Sequence, residues 1–164
     1  DFLIAYNVNL NTKSVDIATE IARTVRASGR LIKKADGTKE RISGKLPFVK
    51  AIGWYIEEYG KAQVSMNLTN FKVTGIHEAY EACKNVAAKY NIEVTGSELI
   101  GLIPLAAILD VGQYYFKRED SLEKMNEEKL INLAVKKLGL GELAPFEHKK
   151  RIIEYLLHPP MSTG

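Results

Sequence analysis

The stretch FLIAYNVNL, residues 2–10, constrains the fold more than any other part of this chain. Successive side chains of a strand point to opposite faces. The even positions, Phe2, Ile4, Tyr6, Val8 and Leu10, suit a core, whereas the odd positions run Leu3, Ala5, Asn7 and Asn9. A second stretch, AQVSMNLTN, repeats the division. It sets Ala62, Val64, Met66 and Leu68 on one face and Gln63, Ser65, Asn67 and Thr69 on the other. A freely solvated face would carry Lys, Glu and Thr, and a dry one Val, Ile and Leu. Short amides and a hydroxyl suit a face that is polar yet covered, where each group left without a partner costs about 1–3 kcal/mol.

The remaining segments set these two strands in a topology. SVDIATEIARTVRASG (14–29) has Ile17, Ala18, Ile21, Ala22 and Val25 at helical spacing, with Ser14 as N-cap and Gly29 as a left-handed stop. FVKAIGWYIEE and AQVSMNLTN read as a hairpin around Tyr59-Gly60, which sets Trp54 opposite Ser65 and Ile52 opposite Asn67. VTGIHEAYEACKNVAAKY (73–90) predicts a helix capped by Thr74, with Ile76, Tyr80, Cys83, Ala87 and Tyr90 as its apolar stripe. IEVTGSELIGLIP (92–104) gives a fourth strand that ends where Pro104 opens a further helix. A charged amphipathic helix is expected from Ser121 towards Leu138, stopped by Gly139, and a short last one over KRIIEYLL.

The order β-α-β-β-α-β is the split βαβ, ferredoxin-like pattern of an α+β domain, with helices on one face of a four-stranded sheet in the order 4-1-3-2. Residues 1–104 form this core, and 105–164 a C-terminal helical extension. Residues 30–47, punctuated by Gly37, Gly44 and Pro47, read as a long mobile loop whose basic residues make a solvated surface. The face away from the helices then collects Asn7, Asn9, Ser65 and Asn67 in its middle, with Trp54, Ile52, Leu3 and Ala5 around them. Their partners are a ligand, ordered water or a second protein layer.

Composition narrows the function by exclusion. A net charge of +3, 46% hydrophobic and 26% charged residues describe an ordinary globular domain, and no basic run interleaved with aromatics marks a nucleic-acid reader. LIGLIPLAAIL (99–109) is too short to span a bilayer and contains Pro104, so no membrane role is expected. Cys83 is the only cysteine and, with His77, His148 and His158, shows no metal-ligand spacing; it reads as a small buried residue and no metal is expected. A lone cysteine without a signal peptide points to the cytoplasm. The chain opens directly in a strand, which reads as a trimmed start.

No dinucleotide or P-loop string occurs, and GSELIG (96–101) lacks the nucleophile-elbow spacing, with no histidine partner for Ser97. His77 falls in the first turn of its helix, where an imidazolium is disfavoured; it reads as a surface histidine or a neutral proton carrier. Glu98 is either a ligand-facing carboxylate or a surface acid. No complete catalytic set assembles, and the catalytic residues are unknown at this stage. A non-catalytic ligand-binding or dimerisation module of ferredoxin-like type is therefore the alternative to an enzyme part.

FLIAYNVNL, IGWYIEEYGKAQVSMNLTNF, VTGIHEAYE, GSELIGLIPLAAILD and RIIEYLL, in this order over nearly the whole chain, resemble the C-terminal subdomain of the glutamate formiminotransferases. That family includes single bacterial enzymes and the first part of the bifunctional formiminotransferase-cyclodeaminases. The resemblance implies transfer of a formimino group between N-formimino-L-glutamate and tetrahydrofolate, the co-substrate, in histidine degradation. It implies two α/β subdomains that stack their sheets around a folate cleft, so that the partner of this chain is an N-terminal subdomain carrying the acid/base histidine and the folate loop. His77 does not inherit that role. Asn7, Asn9, Ser65 and Asn67 are then expected to orient ligand groups or lock the two sheets. Trp54 is expected to wall the pterin or aminobenzoyl ring, or to pack between the sheets. A homodimer is a further expectation.

Overall fold

The apolar even positions of β1 (Ile4–Leu10) and β5 (Lys61–Leu68) are buried side by side, and the sheet grows outward from this pair. A computed structural model describes residues 2–158. The other elements are α1 (Val15–Val25), β2 (Arg30–Lys33), β3 (Lys39–Ile42), β4 (Val49–Ile56), α2 (Ile76–Ala88), β6 (Val94–Ile100), α3 (Leu105–Arg118), α4 (Glu127–Leu138), α5 (His148–Arg151) and α6 (Ile153–Leu157). The main sheet is antiparallel in the order β4-β5-β1-β6, which is the expected ferredoxin-like 4-1-3-2 order. Counted within that sheet, β1, β4, β5 and β6 are the first to fourth strands.

α1 presents Ala18, Ile21, Ala22 and Val25, and α2 presents Ile76, Ala79, Tyr80, Cys83 and Ala87, to the apolar side of the sheet. Tyr90 is 40% exposed, so the stripe of α2 ends one turn earlier than its periodicity suggested. One buried cluster joins these residues to Ile103, Ile108, Val111, Ile131 and Ile152, so the C-terminal helices extend the same core beyond β6. The ends of the two sequence-defined units, Asp1 and residues 159–164, lie outside the described residues.

Several local expectations are corrected. Ser14 does cap α1, its Oγ accepting from Ile17 N at 3.2 Å, and Gly139 closes α4 with φ +58°. Gly29 is left-handed (φ +58°), but α1 has already ended at Val25, and this glycine instead opens β2. The cap of α2 is Gly75; Thr74 is buried and its hydroxyl donates to Pro47 O at 2.7 Å, tying the start of the helix to the chain before β4. α4 begins after Asn126, whose side chain accepts from Lys129 N, not at Ser121.

The segment 30–47 is a two-stranded hairpin where a loop was expected. Lys39–Ile42 is exposed throughout and Arg30–Lys33 nearly so, so no alternation of burial advertises the strands in sequence. The β4–β5 hairpin turns through 57–60, and its register is shifted by two residues from the expected one. Trp54 stands opposite Gln63, Ile52 opposite Ser65 and Lys50 opposite Asn67. A shift of two leaves every side chain on its predicted face.

Candidate functional site

The strand registers arrange the helix-free face in three rows. The first reads Trp54, Gln63, Asn9, Gly96 across β4, β5, β1 and β6; the second Ile52, Ser65, Asn7, Glu98; the third Lys50, Asn67, Ala5, Ile100. All four amide and hydroxyl residues expected here lie on this face, together with Trp54. Gln63, Glu98 and Glu142 complete it: Gln63 was expected on this face without a role, Glu98 was open between a ligand-facing and a surface acid, and nothing in the sequence pointed to Glu142.

The first row is tied together by its own side chains. Trp54 Nε1 donates to Gln63 Oε1 (2.8 Å), Gln63 Nε2 donates to Asn9 Oδ1 (2.6 Å), and Asn9 Nδ2 donates to Glu142 Oε2 (2.9 Å). Lys61 Nζ lies 3.4 Å from the other Glu142 oxygen. The two ends dictate the direction. Indole can only donate and carboxylate can only accept, so each amide between them must accept on its Trp54 side and pass its N–H₂ onward toward Glu142. Gly96 makes the crossing possible: a Cβ there would sit 2.5 Å from Glu142 Oε2 and 2.7 Å from Gly139 O. Asn9 and Gln63 are accordingly sealed, at 0% and 1% exposure, and their hydrogen-bonding capacity is used within the chain.

The second row is different. Gln63 Nε2 reaches Glu98 Oε2 at 3.3 Å, which links the rows, but Asn7 and Ser65 are not drawn into the first-row chain. The buried polar side-chain atoms without a partner among the described residues are Tyr6 Oη and His77 Nδ1. The Asn7 amide is not among them, so it keeps an opening on the free side of the sheet although the residue is only 5% exposed. Around this row Leu3, Ile52, Trp54 and Ile100 expose 38–55% of their surface. A polar strip framed by exposed large apolar side chains is the composition of a binding surface rather than of a solvated one. Beside Glu98 and Ile100 lies a cavity of about 130 Å³, lined further by Leu140, Phe146 and Arg151. The Arg151 guanidinium is held there by the carbonyls of Leu99 and Gly101.

His77 is on the other side of the sheet, on α2. Its ring stacks on Tyr114 (4.3 Å between centroids), and the Arg118 guanidinium lies over the far ring at 3.4 Å. Burial, with Arg118 adding to it, lowers the His77 pKa to about 4, so the imidazole is neutral as expected, for a reason other than the helix terminus. Cys83 is buried and burial pushes its thiol up to about 12, which leaves it an inert core residue. Ser97 is also on the helix side, its hydroxyl donating to Leu138 O at 2.6 Å. None of the three belongs to the polar strip. Among the described residues no group of three His, Cys, Asp or Glu side chains converges as a metal site, and no helix is long and apolar enough to cross a membrane.

Comparison with known proteins bears on what such a face serves. A family model described as "Formiminotransferase domain" matches residues 5–158. The chain is 46% identical over 163 residues to the formimidoyltransferase-cyclodeaminase of Dictyostelium discoideum, covering 99% of this chain and 28% of that protein. It is 46% identical over 157 residues to the enzyme of the same name from Rattus norvegicus, covering 95% of this chain and 27% of that protein. It is 37% identical over 137 residues to the glutamate formimidoyltransferase of Thermoplasma acidophilum, covering 81% of this chain and 41% of that protein. The chain thus spans well under half the length of the relatives it matches. A match over nearly every described residue, met by relatives at this identity, means that the chain belongs to the formiminotransferase domain family.

Proposed function

We propose that this chain is the C-terminal subdomain of a folate-dependent glutamate formiminotransferase, and that its polar sheet face is one wall of the substrate cleft. The observation that carries this reading is the second row: Ser65, Asn7 and Glu98 lie side by side on the helix-free face, framed by exposed Ile52, Trp54 and Ile100. An N-terminal subdomain is the second wall, and the cytoplasm is the expected setting. The reaction passes the formimino carbon of N-formimino-L-glutamate to a ring nitrogen of tetrahydrofolate. A new C–N bond forms, the C–N bond to glutamate breaks, and the proton lost from the folate nitrogen is matched by one gained on the glutamate nitrogen.

This chain's residues position rather than react. The Asn7 amide and the Ser65 hydroxyl supply donors and acceptors to an amide or pterin edge, and Asn67 does so from the neighbouring row. Trp54 and Ile52 give a flat apolar wall for an aromatic ring. Arg151, in the cavity beside Glu98, supplies a fixed charge suited to a substrate carboxylate. Asn9 acts through the first row, holding Gln63 and with it the Trp54 indole. Holding two substrates in register is the main source of rate in a transfer of this type.

The test is formation of 5-formiminotetrahydrofolate by the intact protein at saturating substrates. Asn7→Leu and Ser65→Ala are expected to lower kcat/KM at least tenfold while the protein stays folded. An intact, folded protein that forms none of this product overturns the reading. Loss of assembly without loss of folate affinity in Asn7→Leu with Asn67→Leu would assign the face to a homodimer instead.

A further inference from the structure

A strongly charged cavity lies away from the polar face. About 450 Å³ in volume, it lies between the C-terminal end of α1 and the β2–β3 hairpin, lined by Arg23, Arg26, Arg30, Arg41, Leu31 and Ile32. Four arginines line it, and most of their hydrogen-bond partners are neutral. Arg26 donates through Nε to Gly29 O (2.8 Å) and through Nη1 to Ala51 O (3.3 Å), and Arg41 Nη1 donates to Ser28 O (2.7 Å). Arg30 and Arg23 share one carboxylate, Glu20, at 2.8 and 3.4 Å. Backbone carbonyls orient a guanidinium without cancelling its charge, so most of the positive charge in the cavity remains unneutralised.

The cavity is built into the backbone. The last carbonyls of a helix have no partner within it. Here Lys45 N donates to Thr24 O (3.1 Å) and Leu46 N to Val25 O (2.9 Å), so the irregular segment after β3 satisfies the end of α1. Gly44 is pressed against the same turn: a Cβ there would lie 1.8 Å from Arg26 O. A Cβ on Gly29 would likewise lie 1.7 Å from Ile42 O. The base of the hairpin is therefore fixed to α1, and the arginines of the two elements face each other across a gap set by main-chain contacts.

We infer that this cavity binds a small organic polyanion, one that carries at least two carboxylate or phosphate groups on a short carbon frame. Guanidiniums oriented from several sides match paired oxyanions, and Leu31 and Ile32 give the wall a carbon frame would touch. The site is separate from the sheet face, and its test does not depend on the transferase reading.

Isothermal titration of the intact protein with citrate and with inorganic pyrophosphate, in about 0.15 M NaCl, tests it. Saturable binding of at least one probe, at one site per chain and with a dissociation constant below about 10 mM, is expected. Tighter citrate binding assigns the site to carboxylates and tighter pyrophosphate binding to phosphates. Arg41→Gln and, separately, Arg23→Gln should each weaken the preferred probe by roughly tenfold, the scale of one charged hydrogen bond. Both side chains are exposed, and neither substitution touches the core. Lys136→Gln on α4 makes the same charge change elsewhere and should leave binding unchanged. Absence of saturable binding for both probes, or an equal loss in Lys136→Gln, overturns the inference.

Discussion

Replacing Gln63 by Glu changes one atom of the first row and reverses its logic. Gln63 now donates to Asn9 Oδ1 at 2.6 Å and to Glu98 Oε2 at 3.3 Å. A carboxylate at that position can still accept from Trp54 Nε1 but cannot donate to either oxygen. Asn9 cannot rescue it by turning over, because its oxygen would then meet the Glu142 carboxylate, which accepts its N–H₂ now. The cost combines a lost hydrogen bond of about 1 kcal/mol with a buried acceptor left facing acceptors, about 1–3 kcal/mol. A loss near 3 kcal/mol at pH 7.5 follows.

That cost belongs to the ionised form, so it depends on pH. A penalty of about 3 kcal/mol corresponds to a folded-state pKa raised by roughly two units above the unfolded value near 4.3. The loss is then full above about pH 6.5 and shrinks as pH falls toward 4.3, where the protonated carboxyl restores the donor. Equilibrium urea unfolding of wild type and Gln63→Glu at pH 7.5 and pH 5, followed by Trp54 fluorescence, measures both quantities. A variant within about 0.5 kcal/mol of wild type at both pH values would refute the directional argument.

Further outcomes follow from other contacts. Gly96→Ala forces its Cβ against Glu142 and Gly139 O, so it should cost about 2–4 kcal/mol in unfolding experiments and expose the Asn9 amide to hydrogen exchange. His77 is held neutral, with its pKa lowered to about 4, so the stability it contributes is complete above the unfolded value near 6.5 and is lost as pH falls toward 4. His77→Phe keeps the stack on Tyr114 and should flatten the acid limb of the unfolding profile by about 2–3 kcal/mol between those limits; an unchanged limb would contradict the assignment. Gly44→Ala drives its Cβ into Arg26 O, so it should loosen the hairpin base and destabilise by about 2 kcal/mol or more, read as faster amide exchange at Lys45 and Leu46.

The parity of the two central strands was legible because one face of each is buried without exception, and a one-residue slip would have exposed Tyr6, Val8 and Met66. The register between β4 and β5 was not, because a turn through 57–60 and one centred on Tyr59-Gly60 place the same side chains on the same face. Asn7 and Asn9 look equivalent in sequence. They separate only through Glu142, more than a hundred residues away, which reaches Asn9 over Gly96 and leaves Asn7 open. Nothing in the local pattern around Glu142 announces that contact. Gln63 shares the parity of Ser65 and Asn67, yet its role depends on the register that brings it between Trp54 and Asn9. The hairpin at 30–42 escaped notice because strands so exposed carry no burial rhythm.

The second row is the proposed ligand-facing part of the sheet, and a structure of the intact protein with a bound tetrahydrofolate analogue tests that role most directly. The expected result is the ligand's ring system against Trp54 or Ile52, a polar edge within hydrogen-bonding distance of Asn7 or Ser65, and a second subdomain closing over the face. A ligand bound elsewhere, with this face covered by another copy of the chain or open to solvent, would contradict it.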